Sequence, residues 1–186
     1  MLEIPDMSTA HDTFQHSIRD ATDLLEHFDR LNVQPPPENA EVLKRASLVM
    51  ALAALETYIE DRITEAAAVT ALGARESLLG RFYADSLAND LRYFHSPSTD
   101  RVKNLFKRYL SVDVTQGWTW NNYDPPRARS ELDKLVSKRG DIAHRSRPPR
   151  GPIPSAHIVT RDAMRKHVQF VRDLVQATDR YLDENL

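Results

Sequence analysis

The run Leu48-Val49-Met50-Ala51-Leu52-Ala53-Ala54-Leu55 decides the fold. Eight consecutive apolar residues suit a buried strand or an enclosed stretch of helix, because periodicity alone does not separate the two. The alanines, and the helix formers on either side, favour helix. A helix that is apolar all round must be surrounded by other helices. It is predicted to extend from about residue 38 to residue 72, with Gly73 ending or kinking it. Eight residues fall far short of the roughly 20 that a bilayer span requires.

Working outward, proline marks the boundaries. Upstream, residues 8 to 31 carry Phe14, Ile18, Ala21, Leu25 and Phe28 at spacings of three and four, a helical stripe opened by Ser8 or Thr9. Pro35-Pro36-Pro37 stops that helix, since proline lacks an N–H and restricts the residue before it. Downstream, residues 74 to 94 are predicted helical with Leu78, Leu79, Phe82, Leu87, Leu91 and Phe94 as the apolar set. Ser96-Pro97-Ser98-Thr99 breaks it and caps a helix to about residue 110, carrying Val102, Leu105, Phe106 and Leu110.

A polar–aromatic loop, Gly117 to Tyr123, comes next. Asp124-Pro125 then opens a fifth helix, through Leu132, Leu135 and Val136 towards His144. A Pro- and Arg-rich loop, Arg145 to Pro154, follows. Thr160-Arg161-Asp162 opens the last helix, with Met164, His167, Val168, Val171, Leu174 and Val175 on one face. No segment alternates at period two. The expectation is an all-α, up-and-down bundle of five to six helices in one domain over 1–186, with an N-terminal helix in 1–34 and a core bundle in 38–184.

Composition narrows the function. The 186 residues are 41% hydrophobic, enough for a core, and 25 Lys+Arg against 27 Asp+Glu leave a net charge of −2. That balance excludes a chain-wide basic coat and a disordered polyelectrolyte. With no cysteine there are no disulfides, thiolate zinc sites, iron–sulfur clusters or thiol nucleophiles. Residues 1 to 6 lack a basic region followed by an apolar stretch, so no signal peptide is expected, and the reading is cytoplasmic without a membrane. Gly-rich nucleotide loops and G-x-S-x-G are absent.

Charge is uneven. Pro125 to Arg150 holds eight bases (Arg127, Arg129, Lys134, Lys138, Arg139, Arg145, Arg147 and Arg150) against Glu131, Asp133 and Asp141, so the segment is +5 and the rest −7. A basic strip on an acidic domain suits a phosphate-bearing partner, with Arg145 and Arg147 as RNA contacts; ordinary solvated arginines are the alternative. Within the strip stand Arg139 and His144, four residues between them.

RNA cleavage by its own 2′-hydroxyl needs a base, an acid and positive charge at the phosphorus. Histidine titrates near neutrality and does the proton work. Arginine stays charged and offers a planar fork to phosphate oxygens. On one ideal helix an i, i+5 pair lies about 140° apart around the axis and about 7.5 Å along it. The two side chains therefore converge poorly within one chain unless Gly140 loosens the helix or a second chain supplies its own pair. The plain alternatives are a helix-terminal histidine, and an arginine paired with Asp133 or Asp141.

Lys138-Arg139-Gly140-Asp141-Ile142-Ala143-His144 resembles the Arg-x4–6-His signature of the HEPN superfamily of all-helical ribonucleases. Leu132 to Val136 before it, the Ile142-Ala143-His144 context, and the upstream helix Leu43 to Glu60 are similar to the RiboL-PSP-HEPN branch. The resemblance covers roughly residues 40 to 180. It implies a metal-independent endoribonuclease with no cofactor, working on RNA as a homodimer with a composite cleft. Arg139 and His144 would be catalytic, with Asp141 and Glu56 as supporting groups. It also implies a prokaryotic toxin, stress or defence role with a cognate antitoxin. One position departs: the residue after the arginine is commonly Asn, Asp or His in the family and is Gly140 here. That departure keeps open a non-catalytic module that binds RNA or a protein. A third reading is a helical dimerisation protein with no nucleic-acid role.

Other constellations are weaker. His11, His16, His27 and His95 form no His-Glu-x-x-His or Glu-x-x-His pattern, so no metal site is expected. His157 and His167 have no readable partner. Trp118, Trp120 and Tyr123 either stack on bases or close one end of the core, and the second is the expectation.

Overall fold

Among the described residues the helix signals in the sequence resolve into six α-helices. A computed structural model describes residues 8–31, 37, 40–144 and 160–186. α1 spans Thr9–Leu31 and is opened by Ser8, whose hydroxyl oxygen accepts the His11 N–H at 3.1 Å. Its buried stripe is Ala10, Phe14, Ile18, Ala21, Leu25 and Phe28, the predicted set with Ala10 added. α2 spans Glu41–Thr70. Leu48, Ala51, Leu52, Ala54 and Leu55 are buried, and Tyr58, Ile59 and Ile63 continue the core beyond the apolar run.

α2 is the central element. It packs against α1, α3 (Leu78–Leu91), α4 (Thr99–Leu110), α5 (Pro125–His144) and α6 (Arg161–Asn185). Buried apolar residues from all six helices form one cluster. Among the described residues there is no strand, and no helix is long and apolar enough to cross a membrane. The architecture is an all-α bundle.

The caps follow the local chemistry. Asp124 Oδ1 accepts the Arg127 N–H at 2.9 Å, with Pro125 as the first residue of α5. Thr160 Oγ1 accepts the Ala163 N–H at 3.1 Å at the start of α6. Trp118 is fully buried between α4 and α6, donating from Nε1 to Thr178 Oγ1 at 3.0 Å. Gly117 is needed beside it, because a Cβ there would run into the Tyr181 ring.

The third helix departs from expectation in two ways. It begins at Leu78 rather than near residue 74: Leu72–Ala74 forms a 3-10 turn, and Ser77 Oγ accepts the Gly80 N–H at 3.0 Å. Its six apolar residues also do not share a face. Leu87 and Phe94 are buried and Leu91 half-buried, whereas Leu78, Leu79 and Phe82 are exposed. At 100° per residue, Leu78 and Phe82 lie on the side of the helix opposite Leu87 and Leu91.

A polar clamp ties α1, α2 and α6 together. Asp179 accepts from Tyr58 Oη at 2.7 Å and Arg62 Nε at 2.9 Å, and its second oxygen meets His11 Nδ1 at 2.7 Å. Arg62, itself buried, also donates to Asp183 at 2.9 Å. Burial, then the Asp179 charge, pushes the Tyr58 hydroxyl well above its ordinary range, so it stays a neutral donor.

Candidate functional site

Arg139 sits in the C-terminal part of α5, where that helix packs on α2. The helix continues without a break through Gly140 to His144. Gly140 therefore does not loosen it, and Arg139 and His144 occupy one continuous helix. A Cβ at Gly140 would meet nothing within 4 Å, so the position is open rather than sterically reserved for glycine.

The Arg139 side chain reaches α2. Its Nη1 donates to Glu56 Oε2 at 2.8 Å, with 27% of the arginine side chain and 19% of the glutamate side chain exposed. Glu56 is thus a partly buried, paired carboxylate, placed by its position directly after the apolar run of α2. The sequence-based alternatives for Arg139 do not occur. Asp133 instead caps α4 by accepting the Thr99 N–H at 2.9 Å, and Asp141 is exposed. Among the described residues Arg139 makes no other hydrogen bond.

A further carboxyl lies beside this pair. Glu60 is one helical turn beyond Glu56 on the same side of α2. Its pKa is raised, first by burial and then by the charges of Glu56 and Asp61, while nearby His95 opposes the shift. Burial also raises Asp61. The i, i+4 spacing of Glu56 and Glu60 is the sequence signal that marks this acidic row. Arg139 neutralises only its first member.

The remaining sequence-predicted residues divide as follows. The side chain of His144, together with Arg145, Arg147, Arg150 and His157, lies outside the described residues. His167 is buried on α6, and burial, with Lys138 adding to the effect, pushes it down to about 4. It is a neutral core histidine at pH 7. His11 is held by Asp179 and by Gln15, whose Nε2 lies 3.0 Å from His11 Nε2. His16, His27 and His95 are exposed, and among the described residues no three His, Asp or Glu side chains gather as metal ligands. Trp120 stacks on Tyr123 at 5.0 Å between ring centroids, and both rings pack on Phe170. With Trp118 buried, the aromatic loop closes the end of the core as expected.

Comparison with curated proteins and comparison with solved structures each gave no match. The family model RiboL-PSP-HEPN matches residues 15–184. That span runs from within α1 almost to the end of α6 and includes the α2–α5 contact that pairs Glu56 with Arg139. The all-α bundle and a match across nearly its whole length place this chain in the RiboL-PSP-HEPN family.

Proposed function

We propose that the protein is a metal-independent endoribonuclease. The observation that carries this reading is the state of Arg139: half-buried, held at one nitrogen by Glu56, its other donors without a partner among the described residues, five residues before a histidine on one unbroken helix. Family membership supports an RNA-related role.

In the proposed reaction the ribose 2′-oxygen attacks the adjacent phosphorus, and the bond from phosphorus to the 5′-oxygen breaks. His144 takes the proton from the 2′-hydroxyl, and a second imidazole returns one to the departing 5′-oxygen. Arg139 binds the phosphate oxygens as negative charge builds on them. Glu56 is a positioning residue that fixes the guanidinium, and Asp141 is a neighbouring supporting carboxylate. The products are a 2′,3′-cyclic phosphate and a free 5′-hydroxyl.

Because α5 is continuous, its Arg139 and His144 lie about 140° apart around the axis. A homodimer resolves this by bringing two such pairs to one cleft, which also supplies the second imidazole. Arg145 and Arg147 follow directly on His144 and extend the positive charge along bound RNA. The biological setting of this reading is a cytoplasmic prokaryotic toxin or defence protein, with a cognate antitoxin as partner.

The test is cleavage of a mixed RNA pool in excess EDTA. The wild type cuts, and His144→Ala loses cleavage by at least about 100-fold. Equal cutting by both proteins overturns the assignment. Salt-dependent RNA binding with no cleavage selects the second reading, a non-catalytic RNA-binding module, which Gly140 favours because it replaces the usual polar residue.

A further inference from the structure

The bases of α5 divide by where their side chains go. Arg129 turns inward and donates to the Thr115 carbonyl at 3.4 Å, and Arg139 reaches Glu56. Arg127 and Lys134 remain exposed. They stand two helical turns apart, about 10 Å along the axis and within about 20° of each other around it. Both line one open cavity of about 530 Å³ beside the first half of α5, together with Asn122, Tyr123, Ser130 and Glu131.

The wall of this cavity combines the groups that a nucleotide uses. Arg127 is oriented before anything binds: Asp124 accepts its backbone N–H, and its Nη1 donates to the Asn122 carbonyl at 2.8 Å. Its other guanidinium donors have no partner among the described residues. Lys134 keeps 70% of its side chain exposed, and its 3.5 Å contact with Glu131 is a surface pair that a phosphate displaces at little cost. Tyr123 adds a flat ring, backed by the stacked Trp120 and supported by Phe170. A base stacks on such a ring whatever its sequence. The Asn122 amide, the Ser130 hydroxyl and the Glu131 carboxylate offer donors and acceptors to a base edge. An acidic peptide would use the two cations but not the backed ring beside them.

We propose that this cavity is a nucleotide-binding subsite for single-stranded RNA, with Arg127 and Lys134 on phosphates and Tyr123 under a base. Arg127 lies about 18 Å along α5 from Arg139, so the subsite holds the strand away from the reacting phosphate and sets its course along the helix. RNA as the ligand is taken from the reading above; cleavage is not required. The test is binding of the full chain to a short labelled RNA with 2′-O-methyl riboses, which the proposed reaction cannot cut, by fluorescence anisotropy across a salt series. Arg127→Gln/Lys134→Gln removes two phosphate contacts, which lowers the salt slope by about 1.4 and the affinity at 0.1 M salt by about 20-fold. Lys134→Gln alone gives about half of that change in slope. Arg19→Gln/Arg81→Gln removes the same charge from exposed bases of α1 and α3 and keeps the parent's affinity and slope. All variants keep the parent's circular-dichroism signal. A parent that does not bind this RNA, an Arg127→Gln/Lys134→Gln protein equal to the parent, or the same loss in the α1/α3 control overturns the subsite. Cleavage of unmodified RNA, measured separately, reports on the catalytic reading: a protein that binds through these residues and never cuts keeps the subsite and loses the enzyme.

Discussion

Arg139→Ala is expected to lower RNA cleavage by about 100- to 1,000-fold, the usual cost of removing one group that stabilises charge in a transition state. The argument rests on where the arginine sits. Glu56 holds one nitrogen at 2.8 Å and no other partner binds the guanidinium among the described residues, so in the proposed reaction the side chain is oriented before RNA arrives. Arg139→Lys keeps the charge but loses the planar fork, and recovers only a small part of the activity. Glu56→Gln keeps the shape and weakens the hold on the arginine, so its loss is smaller than that of Arg139→Ala and appears mainly in the rate at saturating RNA. Thermal unfolding of the same variants separates chemistry from stability. A drop in cleavage matched by a drop in folded fraction would assign Arg139 and Glu56 to a structural ion pair.

Asp179→Ala is expected to be the most damaging single change to the fold. Asp179 accepts from Tyr58 and Arg62 and faces His11, and it joins α6 to α2 and α1. Its removal leaves a buried hydroxyl without its closest acceptor and a buried guanidinium with Asp183 alone. Breaking a buried pair in this way costs about 3 kcal/mol, which for a domain of this size lowers Tm by about 10 °C. Asp179→Asn still accepts one hydrogen bond and loses less. Urea unfolding gives the comparison, and a change below about 1 kcal/mol for Asp179→Ala would show that the clamp is dispensable.

Local chemistry made much of this fold legible. Prolines at 35–37, 97 and 125 separate helices, and Asp124 caps the helix it was expected to cap. The apolar run 48–55 lies in the core, with Leu48, Ala51, Leu52, Ala54 and Leu55 buried, while Val49, Met50 and Ala53 are half-buried, so it is not enclosed on every side. Glu56 was named through the resemblance, and its partial burial and its pairing with Arg139 come from the packing of α5 on α2. The misread part of α3 has a physical cause. Leu78, Leu79 and Phe82 have the composition of a core face, and apolar composition does not say whether the cover comes from the same chain.

Long-range polar pairing was not legible at all. Asp179 is separated by 168 residues from His11 and by 121 from Tyr58, and neither residue signals its partner locally. His167 was correctly placed on the apolar face of the last helix, but its low pKa follows from burial and from the charge of Lys138 on α5, which periodicity does not reveal. Glu60 was visible only as a second acidic residue one turn beyond Glu56. Its raised pKa follows first from burial, which periodicity does not reveal, and then from the charges of Glu56 and Asp61, against the opposing effect of His95.

The chemistry of the newly made RNA ends tests the central claim most directly. Full-length protein is incubated with a defined single-stranded RNA in excess EDTA, and the fragments are analysed by mass spectrometry. An arginine–histidine site acting through the 2′-hydroxyl predicts a 2′,3′-cyclic phosphate on the upstream fragment and a 5′-hydroxyl on the downstream one. Fragments bearing 3′-hydroxyl and 5′-phosphate ends, or cleavage of an RNA whose 2′-oxygens are methylated, would contradict it.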